Sequence, residues 1–503
     1  MSKHLILGLL LLLLCACTRR AEVPSQSAKA DRLPALFPDY VDVTVPCNIC
    51  PLNFSIDEAG QQVVAQMTAG GLTYTYGEGR NVLIDEDEWA ELLAAARGGS
   101  IGVEVFVCND GAWTAYKPFS IHVATDSIDP YISYRLIQPS YVAYRELSIR
   151  QRNLTTFDES VIYSNRDVMT NSVGQCINCH SYQNYGTRNM LFHMRQHLGG
   201  TMVVKDGNPV KIDMKTDSTL SAGVYPSWHP RLPLVAFSTN LTGQVFHTRS
   251  TDKVEVQDTQ SDLILYDVEQ NAVQHIRQTS DELEIFPCWA PDGRTLYYCS
   301  AHSVITSSDS IAEQTIERYE ALKYDIYALD FNETARTFSE PRLVYSASQK
   351  GLSATLPRLS PDGRFLVFAQ GDHGCFHVWH HDADICMIDL QTDSLDAVVL
   401  ETVNSERSES YPSFSSNGRW LMVASRRDDG NYTRPYIAHF DPATQTFSKP
   451  FELPQQHPSF YTFCLRSFNR PEFMTEPVTV SQKQFVSVVK SEAQKVKFIP
   501  MKP

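Results

Sequence analysis

The feature that most constrains the fold of this 503-residue chain is a proline-containing motif that occurs four times between residues 225 and 418. In each copy an aromatic residue or a leucine precedes a proline, and a short turn follows a few residues later. The four copies are Tyr225–Pro230, Phe286–Gly293, Leu356–Gly363 and Tyr411–Gly418. The last three end in Asp-Gly or Asn-Gly, pairs that tolerate the positive φ of a tight hairpin turn. The repeat therefore predicts four hairpins of one kind, each within a repeated structural unit.

Each motif is followed by two stretches with the character of β-strands. The first is an apolar run after the turn, and the second is an alternating run that ends in aspartate. The first runs are 234–238, 295–299, 365–369 and 420–425, and the second runs are 263–267, 326–330, 385–389 and 436–441. The motifs lie about 55 to 70 residues apart, compared with ~40–45 residues for a minimal four-stranded propeller blade. The extra length falls in polar segments such as 248–261 and 303–319, which we expect to be loops.

This pattern resembles the repeats of the Tol-system translocation protein family over about residues 220 to 455. The resemblance implies a β-propeller that binds other proteins, and it implies no reaction. Residues 147–163 look like the outer strands of a further unit, and strand-like pieces follow from about Phe460. A propeller often closes its last blade with strands from both ends of the domain, which removes exposed edges. Together with residues 170–216, these pieces predict about six blades over residues 126–503.

Residues 39–125 have a different pattern. Short alternating runs are separated by turn residues, and one short helix is predicted at 86–97. The alternating runs are 41–45, 72–76, 101–107 and 119–123. This pattern is typical of a small immunoglobulin-like β-sandwich. The predicted fold class is therefore all-β, with an N-terminal sandwich followed by a propeller.

The N-terminus has the features of an export signal. A basic start precedes an apolar run at 5–14, which is too short to span a bilayer as a helix. The run ends in Leu-Cys-Ala-Cys, which resembles a bacterial lipobox and implies lipidation of Cys17. Residues 1–17 are thus predicted to be a lipoprotein signal peptide, with a plain secretory signal as the alternative. Residues 18–38 are rich in Pro, Ser, Ala and Arg and predict an unfolded tether. The expected location is the cell envelope, lipid-anchored at the outer membrane and facing the periplasm.

Charge and motifs exclude several classes of function. The formal net charge is −15, without basic runs, so nucleic acid is not an expected partner. No nucleophile elbow, phosphate loop, His-Glu-x-x-His or dinucleotide motif occurs, so the sequence favours a protein without enzymatic activity. A polar loop with His373 and residues 380–384 has the composition of a metal site and equally that of a surface turn.

The segment with a specific chemistry is Cys176-Ile177-Asn178-Cys179-His180. It resembles the attachment motif of c-type cytochromes, in which two thiols form thioethers with haem and the histidine ligates the iron. The resemblance implies covalent haem c on Cys176 and Cys179, with His180 as the proximal ligand. The candidates for the sixth ligand, in order of preference, are His193, Met194, and then Met190 and His197.

The same residues also fit a zinc site. Cys176 and Cys179, followed by His193 and His197, have the spacing of two-Cys, two-His zinc ligands. A zinc finger needs a helix at 190–195, but a strand is favoured there, because 201–206 and 209–214 then complete a blade. In that arrangement the cysteine segment takes the place of Tyr225–Pro230, as a haem-binding loop instead of an inner strand. A disulfide between the two cysteines is the third interpretation.

The sequence therefore supports two functional hypotheses. The first is a membrane-anchored monohaem c-type lipoprotein with a propeller scaffold, which transfers electrons or senses redox state with a docked envelope protein. The second is a non-redox, protein-binding propeller of the envelope, in which the cysteine segment binds zinc or forms a disulfide.

Overall fold

The computed structural model describes residues 21–138, 146–170, 173–250, 252–305, 311–392 and 394–500. The predicted signal peptide and lipidation site Cys17 lie outside these residues. The described chain is almost entirely β and divides into two compact units. Unit 1 comprises Met1–Val43, Pro51–Val123 and Pro454–Phe460, and unit 2 comprises Thr44–Cys50, Ala124–Leu453 and Tyr461–Pro503. Across the described ranges, no helix has the length and apolar character needed to cross a membrane.

Unit 1 is built on an antiparallel sheet around one long strand, Ser100–Asn109. Gln62–Ala69 pairs with one side of this strand, and Ala112–Ala115 and Phe119–Val123 pair with the other side. Leu72–Tyr76 extends the sheet beyond Gln62–Ala69. A separate small sheet comprises Leu36–Phe37, Phe54–Ile56 and Asn81–Val82.

The predicted helix of unit 1 is present as Glu86–Ala96. It begins at Asp85, whose carboxylate accepts hydrogen bonds from two backbone N–H groups of the first turn. Its buried side chains include Trp89 and Leu92, and the helix packs on the main sheet. A helix on a sheet is not the two-sheet packing of an immunoglobulin-like sandwich, so that prediction is not confirmed.

Part of the predicted tether is ordered within unit 1. Ala28–Lys29 pairs in parallel with Ala112–Ala115, and Leu36–Phe37 pairs with Phe54–Ile56. Arg32 forms two hydrogen bonds with the carboxylate of Glu58, at 2.6 and 2.7 Å. The prediction of an unfolded segment is wrong for these residues, because their backbone pairs with strands later in the chain and Arg32 pairs with Glu58.

Unit 2 contains six successive antiparallel sheets of four main strands, of which the third and fourth are joined into one ten-stranded sheet by a single parallel pair, Ser261 with Leu283. We number them sheets 1 to 6 and give each from its innermost strand outwards. Sheet 1 comprises Ser467–Met474, Tyr131–Ile137, Ser148–Asn153 and Glu159–Ser164; sheet 2 comprises Gln175–Gln183, Gly186–Gln196, Gly200–Lys205 and Asn208–Asp213; sheet 3 comprises Val224–Trp228, Leu234–Phe246, Val254–Asp267 and Ala272–Arg277. Sheet 4 comprises Glu282–Trp289, Thr295–His302, Asp325–Asn332 and Arg342–Tyr345; sheet 5 comprises Ser353–Leu359, Phe365–Gly371, Asp384–Asp389 and Val398–Val399; sheet 6 comprises Glu409–Phe414, Trp420–Ser425, Arg434–Asp441 and Phe451–Glu452.

Short elements complete the described chain. Gln494–Lys495 and Lys497–Phe498 add to the outer edges of sheets 2 and 3. The other short strands are Thr44–Val45, Thr337–Phe338 and Thr446–Phe447, and the other helices are Ile311–Arg318, Phe460–Phe463 and Gln482–Val489, with single 3-10 turns at Asn165–Asp167, Tyr319–Ala321 and Ser348–Lys350.

The innermost strands of the six sheets form a closed cycle. From sheet 2 to sheet 6 each contacts the next, and Ser467–Met474 of sheet 1 contacts those of sheets 6 and 2. Sheet 1 itself joins both ends of the unit, because Ser467–Met474 pairs with Tyr131–Ile137. The predicted closure by strands from both ends is therefore present. A closed succession of four-stranded antiparallel sheets is a β-propeller-like fold, which leaves few exposed edges.

Every innermost strand has a β-bulge at the same position. The residue at the bulge has a positive φ although it is not glycine. These residues are Cys179 (55°), Tyr225 (49°), Phe286 (52°), Leu356 (56°), Tyr411 (48°) and Arg470 (51°). Proline follows in five sheets and His180 follows in sheet 2. Proline has no N–H to donate to the strand ladder, which explains why pairing is interrupted there.

Two segments predicted as loops have regular structure. Residues 239–246 and 254–262 form the two strands of a hairpin, the extended hairpin, in which Leu234–Phe246 and Val254–Asp267 remain paired beyond the body of sheet 3. Its polar side chains bond to one another across the strands; Asp258 accepts from Asn240 Nδ2 at 2.6 Å and from Thr242 Oγ1 at 2.7 Å. The other segment contains the helix Ile311–Arg318.

Candidate functional site

The Cys-x-x-Cys-His segment lies in the innermost strand of sheet 2, Gln175–Gln183, which pairs with Gly186–Gln196. The prediction that a loop replaces this strand is therefore wrong: the strand is present and a tight turn follows it. The alignment with sheet 3 also differs from the prediction by three residues, since Cys179 and not Cys176 corresponds to Tyr225. Extended backbone satisfies the hydrogen-bonding groups of this buried segment through the neighbouring strand, which an irregular loop could not do.

The bulge brings both cysteines to one cavity. In a regular strand, residues three positions apart lie on opposite faces. The bulge after Asn178, with φ of 55° at Cys179, shifts this alternation by one residue. Cys176, Cys179 and His180 consequently all border a cavity of about 560 Å³, whereas Ile177 is fully buried in an apolar cluster. A cavity of this volume is in the range of sites that hold cofactors and other small molecules.

Two imidazoles border the same cavity. His180 has no exposed surface, and its ring nitrogens have no well-aligned hydrogen bond among the described residues, although the backbone of Arg470 lies close enough to interact with the ring. Burial lowers the pKa of His180 to about 4. His193 lies on the facing strand, with Nδ1 3.0 Å from Thr201 Oγ1, and burial lowers its pKa to about 3. Both rings are therefore neutral at pH 7, which is the form of imidazole that ligates metals.

The other candidates for a sixth ligand are not at the cavity. Met190 and Met194 pack in an apolar cluster with Phe192, on the face of the strand opposite to His193. His197 follows the end of that strand and does not border the cavity. Of the four candidates, His193 is the one that the fold brings to the cysteines.

The residues of the predicted zinc pattern do not form a compact group. Within the described ranges, three groups of histidine, cysteine and acidic side chains have ligand atoms within 4.8 Å of one another. None of these groups contains Cys176, Cys179, His193 or His197. Both cysteines are free thiols in the structure.

Three arginines border the cavity and were not identified from the sequence: Arg135, Arg195 and Arg470. Arg195 Nη2 lies 3.8 Å from Cys176 Sγ. Arg470 donates to Glu472 Oε1 at 3.2 Å and to the carbonyl of Pro226 at 3.1 Å, which fixes its guanidinium. Guanidinium groups are suited to pairing with carboxylates. The site therefore combines two thiols and two neutral imidazoles with a cationic wall.

A second group of ligand-type side chains lies between the extended hairpin and the loop 372–383 of sheet 5. Glu255 Oε2 is 2.7 Å from His380 Nε2 and 3.4 Å from His373 Nε2. Burial opposes ionisation of Glu255, but hydrogen bonds from the two histidines outweigh it and lower its pKa to about 2. Burial also opposes protonation of His380, and pairing with Glu255 outweighs it and raises the pKa of His380. The polar composition of the loop indicated the histidines, whereas Glu255 was not identified.

No protein-family model and no curated protein matches the chain. Among solved structures, it is similar to a prolyl endopeptidase, with 10% sequence identity and a TM-score of 0.33 over 64% of this chain and 42% of that one. It is similar to the GH74 enzyme of Niastella koreensis, with 8% identity and a TM-score of 0.31 over 62% and 53% of the two chains. It is also similar to an ancestral GH74 enzyme, with 8% identity and a TM-score of 0.23 over 86% and 64%. The chain thus spans less than two thirds of each of these proteins, and likeness at this level carries no argument about activity.

Proposed function

We propose that this protein is a membrane-anchored monohaem c-type lipoprotein that transfers electrons to, or senses redox state for, a docked envelope protein. The observation that carries the proposal is the cavity bordered by Cys176, Cys179, His180 and His193. In this proposal the two thiols would hold haem c covalently, His180 would be the proximal ligand and His193 would be the second ligand. Cys17 carries the lipid anchor at the outer membrane, on the periplasmic side.

The residues of the cavity fit a haem. His180 is a neutral, fully buried imidazole whose ring nitrogens have no well-aligned hydrogen bond among the described residues, and a bond to iron would satisfy one of these nitrogens. The hydrogen bond to Thr201 fixes the ring of His193 through Nδ1 and leaves Nε2 for another partner. Arg135, Arg195 and Arg470 can pair with the two propionate carboxylates. When bound, the haem would supply a one-electron redox centre.

The ligand set favours electron transfer over the binding of small molecules. With histidine on both sides the iron would have no open position, and two histidines give a lower potential than histidine with methionine. We further propose that sheets 1 to 6 are the blades of a six-bladed propeller. The propeller would hold the cavity rigidly and offer a surface to the partner protein.

The proposal is tested by export of the full chain in a host that carries the haem-attachment machinery. We expect a mature polypeptide whose mass includes one haem, which stays attached after denaturation, and a reduced spectrum with a sharp α-band. The double variant Cys176→Ala/Cys179→Ala should lose both signals. The matched control is Cys288→Ala/Cys299→Ala, because these buried thiols of sheet 4 lie outside the cavity.

A mature chain in which Cys176 and Cys179 are free, joined by a disulfide or bound to zinc would contradict the proposal. That result would favour the non-redox hypothesis, in which the propeller only binds an envelope protein.

A further inference from the structure

We propose that Glu255, His373 and His380 form a binding site for a divalent transition-metal ion, separate from the cysteine cavity. The three ligand atoms lie within 4.8 Å of one another. One carboxylate and two imidazoles are a ligand set found at protein sites for zinc and related metals.

One of the distances between these atoms already fits a tetrahedral site, and the others require small movements. In a tetrahedral site, metal–nitrogen and metal–oxygen bonds of about 2.0–2.2 Å place neighbouring ligand atoms about 3.3–3.6 Å apart. The distance from Glu255 Oε2 to His373 Nε2 is 3.4 Å and already fits. The distance from Glu255 Oε2 to His380 Nε2 is 2.7 Å, a hydrogen bond that has to lengthen when an ion enters.

Burial provides independent support for a bound cation. The side chain of Glu255 is 2% exposed and that of His380 is 0% exposed. Neither Glu255 Oε1 nor His380 Nδ1 has a hydrogen-bond partner among the described residues. A buried carboxylate oxygen without a partner costs free energy, and a cation next to the carboxylate would offset that cost.

Hydrogen bonds within the protein hold the backbone around the ligands in place and do not depend on a bound ion. Gly374 N donates to the carbonyl of Leu322 at 2.8 Å, and Ser353 Oγ donates to the carbonyl of Gly374 at 2.7 Å. Gly374 has a φ of 65°, and a Cβ atom there would lie 2.9 Å from Glu255 Oε1. Glycine therefore allows the loop to approach the carboxylate closely. Outer contacts of this kind orient the ligands of metal sites.

The ligand set selects the class of metal. Two imidazoles suit zinc and divalent iron, cobalt or nickel, whereas calcium and magnesium prefer oxygen ligands. Three protein ligands leave at least one position for water, so we expect an ion that exchanges with solution.

The test uses the full exported chain, stripped with a chelator and then dialysed against graded concentrations of Zn²⁺, with bound zinc measured per chain. We expect one site, and His373→Ala should weaken its affinity by at least about 100-fold, since even outer-shell changes typically cost 10–100-fold. The control is His302→Ala, because His302 belongs to an exposed group with Asp281 and Glu282 that offers the same ligand types. Glu255→Gln, which keeps the shape of the side chain, should show the same loss as His373→Ala.

The double variant Cys176→Ala/Cys179→Ala separates this site from the cysteine segment. We expect it to keep the zinc site, whether or not the haem proposal is correct. Absence of stoichiometric zinc in the wild type, or equal affinity in the wild type and both ligand variants, would overturn the inference. So would zinc that is lost in the cysteine variant and retained in His373→Ala.

Discussion

Asp258 gives the sharpest prediction about stability. This carboxylate lies in the extended hairpin, is 6% exposed and accepts hydrogen bonds from Asn240 and Thr242. Burial raises its pKa from 3.8 to about 6. Asp258→Asn should keep the packing, because an amide oxygen can still accept from Asn240 while the Thr242 hydroxyl turns to accept from the amide N–H.

The sign and size of the effect follow from the pKa. A folded-state pKa above the unfolded value means that the folded protein binds the proton more tightly. The resulting stabilisation is complete below about pH 3.8 and is lost as the pH rises through about 6. A difference of about two pKa units corresponds to about 3 kcal/mol. The asparagine variant cannot ionise there, so its free energy of unfolding should rise relative to the wild type by up to about 3 kcal/mol between pH 4 and pH 7.

Urea unfolding of both proteins at pH 4, 5, 6 and 7 measures this difference, and groups that titrate equally in both proteins cancel. Asp217→Asn, at an exposed position of the same unit, serves as the control for removal of a carboxylate. A difference between Asp258→Asn and the wild type that stays constant with pH would refute the reasoning. So would a wild type that gains stability relative to the variant as the pH rises.

Two further predictions concern the cavity and the core. In the protein carrying the proposed haem, His193→Ala should change the reduced spectrum and let carbon monoxide bind the iron. Met194→Leu, the control, should leave the spectrum unchanged. A His193→Ala spectrum identical to that of the wild type would exclude His193 as a ligand. Gly223→Ala places a methyl group 2.8–2.9 Å from buried ring atoms of Phe237, so urea unfolding should show a loss of about 1–3 kcal/mol. Gly243→Ala is the control, because its new Cβ would lie 3.8 Å from the nearest atom, and its free energy of unfolding should be close to that of the wild type. Equal losses of unfolding free energy in the two variants would exclude the steric explanation.

The sheets that the sequence predicted best are those whose turns are determined locally. Gly293, Gly363 and Gly418 all have φ near 70°, as the Asp-Gly and Asn-Gly pairs indicate. The innermost strands of sheets 1 and 2 were harder to recognise. Arg470-Pro471 lacks the following turn, and Cys179-His180 lacks the proline, so their equivalence to Tyr225-Pro226 appears only in the backbone angles.

Errors in the predicted fold arise where the residues that pair with a segment are distant from it in the chain. The extended hairpin has a loop-like composition, but its polar side chains hydrogen-bond to each other across the two strands. Leu36–Phe37 looks like part of a tether because its pairing partner, Phe54–Ile56, lies almost twenty residues later in the chain and is not adjacent in the sequence pattern. Local composition cannot show that polar or scattered apolar residues have partners.

The same limit applies to the candidate sites. The cysteine motif is contiguous and was visible in the sequence, whereas the arginines of the cavity come from sheets 1 and 2 and have no common local pattern. Glu255 precedes His373 and His380 by more than a hundred residues, so only the fold shows that they meet.

The strand that closes sheet 1 also completes the wall of the cysteine cavity. Arg470, which borders the cysteine cavity, lies on the strand that completes the ring, and this strand is the last of the innermost strands along the chain. Without this strand, the part of the cavity wall that Arg470 provides would be absent. If haem is attached as proposed, attachment to the thiols would therefore be easiest before the strand pairs with Tyr131–Ile137, and pairing would then enclose the haem.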